Sequence, residues 1–143
     1  MTGKIKLIFF HPYSYIGGAD NSLRRLIENL NEKLFSITFL SLNKSYLRGI
    51  LSKKVTFITL KAKRTFRSIN ELKSIIEKYE NSGKYKKIIL TSNQNFANII
   101  ASFSIPNSSN IKTIFIDRNH LDELSFHKGF KDKIKKKIIK IIS

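Results

Sequence analysis

Short apolar runs alternate along this chain with segments of helical periodicity, and that alternation constrains the fold more than any other feature. Residues 4–10 read as a short buried strand, followed by strands at 35–42, 55–60, 87–91 and 111–116. Leu23, Leu26, Ile27, Leu30 and Leu34 predict a helix over 20–33, with Asp20 in its first turn complementing the helix dipole. Ile69, Leu72, Ile75, Ile76 and Tyr79 predict a second helix over 69–80. Ser68-Ile69-Asn70-Glu71 has the capping-box pattern at its start, and Ser82-Gly83 closes it. Phe96, Ile99, Ile100 and Phe103 mark a third helix, ended by Pro106-Asn107-Ser108-Ser109. Strands apolar on both faces and separated by helices build a Rossmann-like, three-layer α/β/α domain on a mostly parallel sheet. This domain is assigned to 1–125, and a basic amphipathic helix to 126–143.

Ligands of such sheets bind beyond the C-terminal ends of the strands. The loops expected there are 12–19, 43–48, 61–67, 92–95 and 117–121. The first carries Gly17-Gly18 directly before a helix. Glycine lets a ligand approach the backbone, and a helix N-terminus supplies N–H groups and positive partial charge, so the pair points to phosphate. The familiar phosphate motifs do not fit. A dinucleotide fingerprint needs a third glycine and an acid after the second strand, where this chain has Ser41-Leu42-Asn43. Ser82-Gly83-Lys84-Tyr85 lacks the upstream glycine of a P-loop and follows a helix. The chain has no cysteine, and His11, His120 and His127 lack ligand spacing, so no metal site is expected.

Ile16-Gly17-Gly18-Ala19-Asp20-Asn21-Ser22-Leu23, with Leu26 and Leu30, resembles the start of a GT-B glycosyltransferase of the retaining, family 4 type. Ile116-Asp117-Arg118-Asn119-His120-Leu121 resembles the polar, histidine-containing loop after the fifth strand of that family's N-terminal domain. The resemblance implies the N-terminal half of a GT-B fold, with a nucleotide-sugar as co-substrate, a glycan or lipid-linked acceptor, and no cofactor or metal. It places Gly17 and Gly18 at the donor diphosphate, His120 by the transferred sugar as the catalytic candidate, and Arg118 and Asn119 among the substrate contacts. The family's second Rossmann-like domain binds most of the nucleotide. This sequence ends at Ser143 inside a periodic helix, so it reads as a truncated or split enzyme lacking a donor-binding domain.

The net charge of +17 calls for an anionic partner. Lysine, isoleucine and asparagine share A/T-rich codons, so clusters of charge say more than the total. One cluster is Lys61-Ala62-Lys63-Arg64-Thr65-Phe66-Arg67, and the other runs from Lys128 to Lys140. In the second, Phe126, Phe130, Ile134, Ile138 and Ile142 form a stripe backed by lysines such as Lys128, Lys131 and Lys135. That pattern suits a helix lying on an anionic membrane surface, or one packing against another domain. The expected location is cytoplasmic, peripheral on the inner face of the cell membrane. Two alternatives are a non-catalytic partner subunit and a basic nucleic-acid-binding domain. No helix-turn-helix, zinc-finger or aromatic RNA-binding signature favours the latter.

Overall fold

Apolar runs and helical stripes fold in the order that their alternation predicts. The computed structural model describes residues 3–51, 53–106 and 111–116. The strands are β1 (Ile5–Phe10), β2 (Phe35–Ser41), β3 (Val55–Thr59), β4 (Lys87–Ser92) and β5 (Ile111–Phe115). The α-helices are α1 (Gly18–Glu28), α2 (Arg48–Leu51), α3 (Ile69–Asn81) and α4 (Asn95–Phe103). The strands form one sheet in the order β3-β2-β1-β4-β5, and every pairing is parallel. This is a Rossmann-like α/β fold, with β1 at its centre.

Alternation along β1 divides the core. Leu7 and Phe9 face one side, where they join Leu23 and Ile27 of α1, Leu47, Leu51, and Val55 of β3. Ile8 and Phe10 face the other, with Leu72 and Ile76 of α3 and Ala97, Ile100 and Ala101 of α4. Burying both faces is what requires the near-continuous apolar runs of these strands. No described helix is long and apolar enough to cross a membrane.

Four local expectations are corrected. The first helix ends at Glu28, not residue 33, because two asparagines build a turn there. Asn29 Nδ2 donates to the Arg25 carbonyl (2.7 Å), and Asn31 Oδ1 accepts the Lys33 N–H (2.9 Å). Leu34 therefore falls outside the helix and is 56% exposed, and Leu26 is exposed too. Ser68-Ile69-Asn70-Glu71 is not a capping box. Ser68 ends a 3-10 turn (Thr65–Ser68) and its hydroxyl donates to the Thr65 carbonyl (2.6 Å). The Glu71 carboxylate instead accepts the backbone N–H groups of Lys61 (2.9 Å) and Ala62 (3.3 Å). Phe103, on the expected stripe of α4, is 66% exposed, since the smaller Ala97 and Ala101 pack inward with Ile100. Gly83 does stop α3, at φ +59°, a conformation that favours glycine.

Candidate functional site: a polar crevice between β1 and β4

The strand order reverses between β1 and β4, and a doubly wound sheet opens a crevice at such a point. The two strands end together, with Phe10 opposite Ser92. One residue further along each chain, His11 and Asn93 meet in the crevice. Both are polar and both are buried, His11 being 1% exposed.

His11 anchors a continuous hydrogen-bonded chain. Its Nδ1 lies 2.5 Å from Asn93 Oδ1, and its Nε2 lies 3.1 Å from Asp20 Oδ2. The ring is thereby held at both nitrogens, and through Nε2 it gives the buried Asp20 carboxylate a hydrogen-bonding partner. Asp20 Oδ1 accepts the Ser14 hydroxyl (2.5 Å), whose oxygen then accepts from Ser45 (2.6 Å). The Ser45 oxygen takes the Leu47 N–H (3.2 Å). Asn43 grips Ser14 from the next loop, accepting its N–H and donating to its carbonyl, both at 2.9 Å. Desolvation, and then the Asp20 charge, raises the pKa of Tyr46, while Arg24 acts in the opposite sense.

The network fixes the β1–α1 loop against two neighbouring loops and aims α1 at the crevice. Two buried polar atoms on the β4 side, Ser92 Oγ and Asn93 Nδ2, have no hydrogen-bond partner. A buried unpaired donor costs free energy, and a ligand oxygen would satisfy it.

The glycine pair lies at the same edge. Gly17 caps α1 and Gly18 opens it, with no side-chain cap. Gly17 is fully extended (φ −176°, ψ 177°), a conformation open to any residue, and a Cβ at either glycine would meet nothing within 4 Å. Neither the backbone nor the packing therefore demands glycine there, which sets aside a tight turn as its reason. Gly3 differs: a Cβ there would lie 3.0 Å from the Lys84 carbonyl oxygen.

Beside the crevice runs a groove of about 510 Å³, between the β1–α1 loop, the 3-10 turn and the start of α4. Tyr13, Phe66 and Phe96 supply aromatic walls, and Arg64, Thr65 and Gln94 supply polar groups. Tyr13 also stacks parallel to Tyr15 at 6.4 Å. Aromatic walls with a few convergent polar groups are the usual lining of a small-molecule site.

The sequence placed four of these loops together correctly. Gly17 and Gly18 are at the strand-end edge as expected. Arg118, Asn119 and His120 lie outside the described residues, as do Lys128, Phe130, Lys131, Lys135 and all of 126–143, where a helix was expected. Sequence reasoning missed His11, Ser14, Asn43, Ser45 and Asn93, and read Asp20 only as a helix-dipole residue. A signal was present: His11 and Asn93 are polar, and each is the first residue past the end of one of two adjacent strands. No family model matches this chain, nor does any curated protein or solved structure at a significant level. Fold and crevice together define a doubly wound α/β domain with a buried polar crevice at its switch point.

Proposed function

We propose that this domain is the acceptor-side half of a glycosyltransferase built from two Rossmann-like domains. It would transfer a sugar from a nucleotide-sugar donor to a glycan or lipid-linked acceptor. The observation that carries the reading is the glycine pair: two glycines that neither backbone nor packing requires, at a helix N-terminus over an open crevice. An incoming diphosphate explains them, because it needs close approach to backbone N–H groups. As the sugar leaves its donor, charge develops on that diphosphate, and fixed donors stabilise it. The likeness of residues 16–23 to family 4 enzymes points the same way. The aromatic groove with Arg64 would hold the acceptor, and a second domain would hold the nucleotide.

An NMR titration of the ¹⁵N-labelled chain with a panel of nucleoside-diphosphate sugars tests this, since it detects weak binding to one half of a site. The amides of Gly17, Gly18 and Asp20 should shift, and Gly18→Val, which meets no steric obstacle, should abolish the shifts while the rest of the spectrum stays native. Unmoved Gly17 and Gly18 amides at donor saturation would remove the reading.

A further inference from the structure

The opposite edge of the sheet bears a second, unexplained feature. The loops that feed the strands' N-terminal ends contain Lys4, Lys33, Lys53, Lys54, Lys84 and Lys86. Their one described acid, Glu32, already pairs with Lys54 at 3.3 Å. Lys87 and Lys112 extend the rim as exposed residues at the starts of β4 and β5. The crevice edge has its own basic cluster at 61–67, but the rim differs in placing a lysine one or two residues before the start of each of β1, β2, β3 and β4.

A groove of about 480 Å³ opens in this rim, where Lys4, Lys53, Lys54 and Lys84 surround Ser36 and Tyr85. Behind that wall lies one more ammonium. Lys6 is buried, donates to Ser36 Oγ (3.1 Å), and sits over the Tyr79 and Tyr85 rings at 4.2 and 5.1 Å. Large apolar side chains are exposed among the lysines. Leu34 precedes β2, and Phe103 ends α4 at the same edge.

We propose that this rim is a docking face for an acidic phospholipid surface. Its charge is complementary to anionic headgroups, and Leu34 and Phe103 are placed to enter the headgroup boundary. None of the loop cations is an arginine. They are point charges suited to a diffuse anionic layer, not the forked donors that grip single phosphates of a nucleic acid. The proposal does not rest on the transferase reading, because it concerns the edge opposite the crevice.

Co-sedimentation of the full chain with phosphatidylglycerol–phosphatidylcholine vesicles, against phosphatidylcholine alone, tests it. The chain should partition onto the acidic vesicles and detach at high salt. Each headgroup-facing lysine contributes roughly fivefold. The triple variant Lys53→Glu/Lys84→Glu/Lys86→Glu should therefore lose roughly a hundredfold in partitioning, with its circular dichroism unchanged. Two controls carry the same charge change elsewhere: Lys61→Glu/Lys63→Glu/Arg67→Glu at the crevice edge, and Lys128→Glu/Lys131→Glu/Lys135→Glu. Each should lose no more than a fewfold. No partitioning by the wild type, equal losses in all three variants, or a loss confined to either control would overturn the rim. So would a duplex oligonucleotide that outcompetes acidic vesicles for the wild type.

Discussion

Lys6 takes a charge into the sheet, where it is 2% exposed and, among the described residues, has no carboxylate paired with it. Desolvation lowers its pKa from 10.5 to about 8. The unfolded chain therefore binds more protons between pH 8 and 10.5, and this residue makes the fold more stable as pH rises through that window. Below pH 8 the ammonium is charged in both states and its burial cost is fully present. Lys6→Met should be more stable than wild type at pH 7, by about 1 kcal/mol. That advantage should shrink between pH 8 and 10.5, as urea titrations at a series of pH values would show. Asp20 is the converse case, a buried carboxylate held by the His11 ring and the Ser14 hydroxyl. Asp20→Ala takes one partner each from the buried His11 and Ser14 and should cost about 3 kcal/mol. Adding His11→Ala should cost far less than its own single-mutant loss, a coupling that a double-mutant cycle reads directly.

At the scale of elements, the Glu71 carboxylate ties α3 to the segment that carries Lys61, Lys63 and Arg64. Glu71→Ala should destabilise the domain by about 1 kcal/mol. Amide exchange at Lys61 and Ala62 should accelerate more than at the centre of α3. The sequence showed a serine and a glutamate at capping-box spacing but not which partner each would take. That choice depends on the β3–α3 loop folding back within reach, which is a tertiary fact. The same limit applies to α1. Leu30 and Leu34 continue a helical stripe, yet Asn29 and Asn31 offer the backbone local bonds that end the helix before them. Strands were easier to locate, because β1, β2 and β4, flanked by strands on both sides, are mostly buried and need near-continuous apolar runs. The crevice network was harder, since His11, Ser14, Asn43, Ser45 and Asn93 come from three separate loops. Only the strand order brings them together.

For the whole molecule, two opposite edges have different chemistry. One gathers hydrogen-bonded polar side chains, aromatics, the glycine pair and the 61–67 basic cluster, and the other has a lysine shortly before each of β1 to β4. β1 runs between them, and six residues at about 3.3 Å each separate the edges by roughly 20 Å. A domain resting on its lysine rim would thus hold the crevice away from the lipid, open to an acceptor that projects from the surface.

The bond between His11 and Asn93 spans 82 positions of sequence and crosses the seam where β1 meets β4. On the ribosome, β1, α1, β2, α2 and β3 emerge first and can assemble the apolar cluster on their own side of the sheet. Until β4 arrives, β1 is an open edge and the imidazole has its carboxylate but not its amide. The crevice is consequently closed only once β4 is made, and a nascent chain interrupted before residue 93 would keep much of its first core and the His11–Asp20–Ser14 links while lacking the crevice's β4 wall.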